Sequence, residues 1–420
     1  MTYGGVLWLA PLIALQGTPG TGFIRSIFAF IGLVHLFWVL RHHPPIFSPP
    51  KKLPESWLLG ALALWLILQS SLFSVSALHS LTELAEHFGK ILLLIWIAIA
   101  FVRRRNGIEF SWMLYGVFGG FFLHTISALT FQGWRYIEIG SLAIGDSFLG
   151  NYGYVSPYVT GSLAFLLTDL VARYLGQQRL LNIPTWAVVS ALILTLAGQG
   201  LLAAKSSAVM SIVLILMAGI AAMGYGHKTH SGKPVLMVCA VLIGTSLAFN
   251  AAFSNRWDGA TKHLTQAIQQ ADTKAAFQNT FQGDASYYQR YAWGRSGLEG
   301  IAAHPLGYGY GSEGYGKYIF ETYAITGAVS SHSGWIDFAL DNGIPGLALL
   351  LALSAMLVYR GWRAFGQGNP VGLALSLFVV NYIGRCAIDG HLVGSRLTGF
   401  AFAAAILWAL SVTSDARSPD

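Results

Sequence analysis

The chain has 420 residues, of which 54% are hydrophobic and only 10% are charged. A soluble domain carries about 25% charged residues, so this composition excludes a soluble globular enzyme, a disordered chain and a nucleic-acid-binding module. The formal net charge of +7 is informative mainly through where each charge lies, because lysine and arginine mark the cytoplasmic loops of membrane proteins. We therefore expect a polytopic membrane protein.

Apolar stretches that can cross a bilayer recur along the chain. A spanning helix needs roughly 20 apolar residues, or about 17 where flanking groups snorkel. Reading the sequence with this window gives twelve segments, at about 4–20, 22–40, 57–73, 88–102, 110–130, 152–172, 184–200, 205–224, 234–253, 335–358, 370–384 and 397–413. We predict an all-α fold with about twelve transmembrane helices, of which residues 1–253 form helices 1–9 and residues 335–420 form helices 10–12 and a cytoplasmic tail.

Basic residues predict the orientation of these helices. If both termini are cytoplasmic, the inward loops and the tail hold thirteen lysines and arginines, whereas the short outward connections hold only Arg135. The positive-inside rule therefore favours this orientation. Cys239 and Cys386 both lie in apolar segments, so we expect neither a disulfide nor a thiolate metal site.

One long hydrophilic stretch interrupts the apolar pattern. Residues 254–334 form an 81-residue segment between the ninth and tenth predicted helices, which the orientation places on the outward side. The segment is too long for a simple connector and contains residue patterns that favour helices, followed by the glycine-rich GYGYGSEGYG. We predict a helical outward loop as the second of three parts of the chain.

Several cations lie at the outward ends of predicted spans. Lys205 begins the eighth span, and Arg385 and Arg396 lie close to Asp389 at the ends of the last two spans. A charge near lipid is costly unless it faces water, protein or a ligand, so this group suits the diphosphate headgroup of a lipid. The alternative is that these cations snorkel to the interface or pair with acids such as Asp389 and Glu138.

The end of the long loop carries a set of spaced motifs. Arg290 is followed fourteen positions later by His304-Pro305-Leu306-Gly307, then by alternating glycines, by His332 and by the GIPGL that enters the tenth span. In this order the motifs resemble the O-antigen ligase and polymerase superfamily of membrane glycosyltransferases. The chain departs from the family pattern at Ser333, where members usually have Asn, and at Lys205, where they usually have Arg.

The resemblance implies a metal-independent enzyme without a cofactor that transfers a glycan from undecaprenyl diphosphate to an acceptor hydroxyl on the periplasmic side of the bacterial inner membrane. It implies His332 as the base, with Arg290 and Lys205 stabilising the departing diphosphate. The substrate-binding candidates are Arg295, Arg385, Arg396, Asp389, Tyr308 and Tyr310.

The His332-Ser333-Gly334 form resembles ligases more than polymerases, and for a ligase the acceptor is the lipid A core oligosaccharide of lipopolysaccharide. Three alternatives stay open at this point. A polymerase of the same superfamily would extend carrier-linked repeats, and a protein O-glycosyltransferase would modify a protein. A transporter or flippase is favoured only by the number of helices.

Overall fold

The computed structural model describes residues 5–16, 18, 20–42, 54–102, 107–142, 145–226, 232–253, 260–270, 272–278, 285–392 and 394–413. Within these ranges the protein is almost entirely helical. The helices are α1 (Val6–Leu15), α2 (Gly22–His42), α3 (Pro54–Leu72), α4 (Ala77–Val102), α5 (Gly107–Ile139), α6 (Tyr152–Tyr174), α7 (Thr185–Leu202), α8 (Lys205–Gly226), α9 (Gly232–Phe253), α10 (Ala260–Gln270), α11 (Thr273–Gln278), α12 (Ala285–Ala303), α13 (Gly314–Tyr323), α14 (Gly334–Gly366), α15 (Pro370–Cys386) and α16 (Gly394–Thr413). Two short strands, β1 (Asp146–Ser147) and β2 (Gly150–Asn151), pair antiparallel before α6.

The helices have the character of an all-α membrane protein. Each of the twelve predicted spans overlaps one helix, from α1 to α9 and from α14 to α16. In the described residues, six helices are long and apolar enough to cross a membrane, and five further apolar helices are shorter. Large apolar side chains such as Phe23, Trp57 and Ile137 are exposed on the helices, as expected where lipid is the solvent. The count of twelve spans stays a prediction.

Much of the evidence for the predicted orientation lies outside the described residues. The basic residues concerned are Lys51, Lys52, Arg103, Arg104, Arg105, Lys228 and Arg417. The predicted cytoplasmic tail after residue 413 also lies there. Which side of the membrane each loop faces therefore stays a prediction.

Four helices, α10 to α13, occupy the segment between α9 and α14 that was predicted to be a helical loop. Helix α12 packs against the start of α14, and α13 packs against both. We call the end of the bundle that carries these helices the loop side. The first turns of α14 and the turn between α15 and α16 lie on this side, because Arg290 of α12 contacts Ile388 and Asp389.

Helix α4 begins earlier than predicted. The apolar pattern placed its start near residue 88, whereas the helix starts at Ala77. The additional segment, ALHSLTELAEH, has good helix formers but too many polar residues for a transmembrane window. The extension has an apolar side, since Leu84 is buried in the core, and a polar side that carries Glu83 and His87.

Helix α14 is broken at Gly343, whose φ of 76° and ψ of 166° are not helical. The break frees the carbonyl groups of residues 340 to 342, which would otherwise be unsatisfied in an apolar bundle. The glycine-rich loop meets this need, because the N–H groups of Tyr308 and Gly309 donate to Leu340 and Asp341 at 2.8 and 2.9 Å. The indole of Trp65 donates to the Asn342 carbonyl at 2.7 Å. The loop therefore completes a broken helix.

The two largest apolar cores of the described residues hold most of the helices together. The larger core joins α1, α3 to α6 and α14 to α16, and the second joins α6 to α9 with the last turn of α14 and with α15. Helix α15 contributes to both and is almost completely buried. The turn that follows it is thus held rigidly against the loop side, where it forms part of the candidate site.

Candidate active site

Polar side chains line a cavity of about 660 Å³ on the loop side of the bundle. We call this space the polar cavity. Its arginines and histidines are His87, Arg290, His332, His391 and Arg396. Its carboxylates are Glu83, Glu313, Asp337, Asp341 and Asp389. The wall is built by α4, the start of α6, α12, α14, α16 and the loops between them, so it forms only when distant parts of the chain pack together.

His332 lies in this wall, two residues before α14 begins. Its imidazole stacks on the indole of Trp293 with 4.9 Å between ring centroids and 15° between ring planes. The side chain is nevertheless exposed, so a molecule in the cavity can reach the ring. Surrounding protein atoms, and then the positive charge of Arg290, lower the pKa of His332 from its ordinary value of 6.5. The ring is therefore neutral at pH 7, and one nitrogen can accept a proton.

Asp337, in the first turn of α14, fixes the backbone that carries His332. Its carboxylate accepts hydrogen bonds from the Ser330 hydroxyl at 2.6 Å and from the Ser331 N–H at 2.8 Å. The Ser330 oxygen also accepts the N–H of His332 at 3.0 Å. His332 has a φ of 60°, in the left-handed region that few non-glycine residues adopt. Such a conformation persists only where neighbouring groups hold the backbone in place, and these hydrogen bonds hold it here.

Arg290 of α12 brings a positive charge to the same cavity. Its Nη1 lies 3.7 Å from Oδ1 of Asp389 and donates to the carbonyl of Ile388 at 3.3 Å. These contacts use one nitrogen of a side chain that has five N–H donors. The side chain is 39% exposed, which suits a group that binds an anion from the cavity.

Asp389 joins the cavity wall to the interior of the bundle. Its Oδ2 accepts hydrogen bonds from Nε of Arg385 at 2.9 Å and from the hydroxyl of Ser206. Arg385 is fully buried, and its other nitrogens donate to Ser207 and Ser156. Burial alone would raise the pKa of Asp389, but the charge of Arg385 holds it well below its usual range. The charged carboxylate therefore links α6, α8, α12 and α15 at one point.

His391 separates Asp389 from Arg396. Its Nδ1 lies 3.1 Å from Nη1 of Arg396, and because a guanidinium can only donate, Nδ1 must be the acceptor. Its Nε2 lies 3.3 Å from Nε of Arg385 and 3.7 Å from Oδ2 of Asp389. Burial lowers the pKa of His391 to about 4, so the ring is neutral. The network orients Arg396, whose guanidinium also lies 4.3 Å from the ring of Tyr154.

An apolar groove of about 360 Å³ adjoins the polar cavity. It lies between α3, α4, α14 and α16, and Tyr310 and Phe338 line both spaces. On α14 the groove is lined by Phe338 before the break and by Leu350, Leu353 and Leu357 after it. Burial, and then the nearby carboxylates of Asp341 and Glu83, raise the pKa of Tyr310. Its hydroxyl stays protonated and can donate a hydrogen bond where the two spaces meet.

The structure brings five of the sequence-predicted site residues to the polar cavity. They are His332, Arg290, Arg396, Asp389 and Tyr310. The other four do not line it, and they are Lys205, Arg295, Arg385 and Tyr308. Arg385 acts from inside the bundle through Asp389, as its complete burial requires.

The remaining three residues have contacts of their own. Lys205 places its Nζ 3.9 Å from the ring of Tyr287, which lies three residues before Arg290 on α12. Arg295 is five positions after Arg290 and therefore turned by roughly 140° about the helix axis, and it pairs with Glu299 at 3.1 Å. Tyr308 is buried, and its hydroxyl donates to Glu321 at 2.7 Å.

Sequence reasoning missed Glu83, His87 and Asp337 as cavity residues. Asp337 follows His332 by five positions, so it was within reach of a wider search around the motifs. Glu83 and His87 had no such signal, because only the tertiary structure brings α4 to the cavity.

The fold and the site define a class of protein, an all-α membrane protein whose polar cavity at one end of the bundle adjoins an apolar groove. Residues 183–351 match the family described as O-antigen ligase. This match confirms the resemblance found in the sequence to the O-antigen ligase and polymerase superfamily, whose members are membrane glycosyltransferase-like enzymes. A comparison with curated proteins finds no match.

The matched segment contains Lys205, Arg290 and His332 but not every cavity residue. Glu83 and His87 precede it, and Asp389 and Arg396 follow it. The cavity therefore combines the family segment with elements from both ends of the chain.

Proposed function

We propose that the chain is an O-antigen ligase that transfers a glycan from undecaprenyl diphosphate to a hydroxyl of the lipid A core oligosaccharide, on the periplasmic face of the bacterial inner membrane. The observation that carries the proposal is the adjacency of two spaces, whose walls share Tyr310 and Phe338. The polar cavity holds His332, Arg290 and Arg396, and the apolar groove lies beside it between membrane-type helices. The donor consists of an apolar chain, a diphosphate and a glycan, in that order. Its chain therefore matches the apolar groove, and its diphosphate and glycan match the polar cavity.

The anionic part of the donor fits the arginine-bearing wall of the cavity. Arg290 and Arg396 present planar guanidinium groups, which bind phosphate oxygens in a bidentate manner. Asp389 and His391 orient these two arginines through the contacts described above. The apolar chain would occupy the groove beside α14, where Leu350, Leu353 and Leu357 line the wall.

His332 acts as the general base in this mechanism. Its neutral ring accepts the proton of the acceptor hydroxyl, and the oxygen forms a bond to the anomeric carbon of the donor. The bond between that carbon and the diphosphate oxygen breaks, and its electron pair leaves with the polyprenyl diphosphate. Arg290 and Arg396 stabilise the charge that develops on the leaving group. Attack opposite the leaving group inverts the anomeric carbon.

The choice of ligase over polymerase rests on the His332-Ser333-Gly334 form of the motif and can be tested directly. Purified protein is given a carrier-linked glycan together with either lipid A core oligosaccharide or a second carrier-linked repeat. A ligase forms a glycan–core product and releases free undecaprenyl diphosphate. Extension of the carrier-linked repeat without transfer to the core would identify a polymerase, and movement of the donor across vesicles without a covalent product would identify a transporter.

A further inference from the structure

Helix α4 crosses the boundary between the polar cavity and the apolar groove. Glu83 and His87 line the polar cavity, whereas Phe88 and Ile91, which follow on the same helix, line the groove. The change from polar to apolar lining thus occurs within one turn of α4. A lipid substrate that occupies both spaces must place the junction between its headgroup and its chain beside this turn.

Tyr310 marks the same boundary from the glycine-rich loop. It lines both spaces, and its ring centroid lies 6.3 Å from that of His87. The protonated Tyr310 hydroxyl and the His87 ring are therefore neighbouring groups that can donate hydrogen bonds at the boundary.

Glu83 lies one helical turn before His87 on α4, and its carboxylate faces the His87 ring. The Nδ1 atom of His87 lies 3.6 Å from Oε2 of Glu83, and both side chains are about one-third exposed. Gly311 packs directly on Glu83, since a Cβ atom at position 311 would lie 2.9 Å from the Cβ of Glu83. The loop therefore limits the positions that the Glu83 side chain can take. The Glu83 carboxylate beside Nδ1 orients the imidazole, and when both ring nitrogens carry a proton Nε2 is a donor for another partner.

We propose that His87, oriented by Glu83 and assisted by the Tyr310 hydroxyl, binds the phosphate that is attached directly to the lipid chain. This inference rests on the proposed function. In a polyprenyl diphosphate donor, the lipid-linked phosphate is the polar group nearest the chain, and it is the group that meets the boundary on α4. Arg290 and Arg396 then bind mainly the other phosphate, which carries the glycan.

Two probes separate the two phosphates. Farnesyl monophosphate carries only the lipid-linked phosphate, and farnesyl diphosphate carries both. We expect His87→Ala to weaken the binding of both probes to the purified full-length protein by a similar factor of roughly ten, which is typical for the loss of a hydrogen bond to a charged group. Arg290→Met should weaken the binding of farnesyl diphosphate much more than that of farnesyl monophosphate.

The chain offers matched controls on the same helix. His79→Ala removes an exposed histidine that lines neither space, and it should leave the binding of both probes unchanged. Glu83→Gln should weaken the binding of both probes by a smaller equal factor, whereas Glu86→Gln, which breaks the exposed pair with Lys90 and lines neither space, should not. The Glu83 variant keeps the size of the side chain, so it tests the inference even if His87→Ala impairs folding.

The possible outcomes distinguish the inference from the proposed function. If the wild-type protein binds both probes but His87→Ala and Glu83→Gln change neither affinity by more than twofold, the phosphate subsite is wrong and the proposed function stands. A rise in KM for the acceptor alone in these variants would also overturn the subsite. If the wild-type protein binds neither probe, the proposed function itself fails.

Discussion

Charges of opposite sign near His332 shift its pKa in opposite directions. Arg290 disfavours the imidazolium form, whereas Asp337 and Asp389 favour it. Partial burial and Arg290 prevail, so the pKa of His332 lies below 6.5 and the ring is a free base across the neutral range. A base of this kind limits activity only on the acid side, where the ring becomes protonated.

Two substitutions should shift the pKa of His332 in opposite directions. Arg290→Met removes a positive charge, so the pKa of His332 should rise towards 6.5 and the loss of reactivity should begin at higher pH. Asp337→Asn removes a negative charge, so the same transition should move to lower pH. The rate at which diethylpyrocarbonate modifies the peptide containing His332, followed by mass spectrometry across pH 4–8, reports both shifts even in inactive variants. A shift in the same direction for both variants would contradict this electrostatic assignment.

Lys205 lies outside the lining of the polar cavity. Its ammonium lies over the ring of Tyr287 on α12, and the neighbouring Ser206 donates to Asp389. Lys205→Arg should keep most of the transfer activity, because arginine also binds aromatic faces, whereas Lys205→Ala should lower it. Transfer rates of the two variants check this, and equal rates would show that the positive charge at position 205 is not used.

At the scale of single residues, the sequence predicted site residues that belong to the spaced motifs, such as Arg290 and His332. It did not reveal which arginine would be buried. Arg385 and Arg396 look alike in the sequence, but Arg385 is enclosed by Ser156 and Ser207 while Arg396 faces the cavity. Partners more than 170 positions away decide this difference, and no local pattern encodes them.

The broken helix α14 shows how elements are matched to one another. Gly343 and Gly307 pack back to back, because a Cβ atom at position 343 would lie 2.7 Å from the Leu306 carbonyl oxygen and one at position 307 would lie 2.5 Å from the Gly343 nitrogen. Both glycines also have positive φ values, 76° and 79°. The close packing therefore requires a glycine both in the loop and at the break.

Gly343→Ala should destabilise the protein clearly. The backbone conformation alone costs about 1–3 kcal/mol for a residue with a side chain, and the contact with Leu306 adds to this. Gly327→Ala is the matched control, since Gly327 has a φ of 83° but no atom within 4 Å of the added Cβ. Thermal unfolding in detergent should show a larger fall in Tm for Gly343→Ala than for Gly327→Ala. Equal falls would mean that the packing of the loop against the break contributes nothing.

The helices show where prediction from sequence succeeds and where it stops. Long apolar runs predicted an element at every position from α1 to α9 and from α14 to α16, because lipid leaves a helix as the simplest way to satisfy the backbone. The early start of α4 was missed because Glu83, Glu86 and His87 lower the hydropathy of an otherwise helical segment. The break at Gly343 was missed because its partner groups come from a loop more than thirty positions earlier.

At the scale of the whole molecule, the apolar groove and the polar cavity lie side by side and share Tyr310 and Phe338 in their walls. Ala401 of α16 lines the groove, so Ala401→Phe should narrow it. We expect this variant to raise KM for a donor with a long polyprenyl chain more than for one with a short chain, with little change in kcat. Ala355→Phe on the exposed side of α14 is the control and should change neither parameter. An equal effect on long and short donors would show that the chain does not lie in the groove.

The most direct test of the central claim is the transfer reaction of the His332→Ala variant. With a carrier-linked glycan and lipid A core acceptor, the wild-type protein and the exposed-histidine variant His79→Ala should form product and release an equal amount of free polyprenyl diphosphate. His332→Ala should insert and fold normally but transfer at least about a hundredfold more slowly, as expected for the loss of a general base. Transfer by His332→Ala at the wild-type rate would contradict the account, because the cavity would then lack the base on which the mechanism depends.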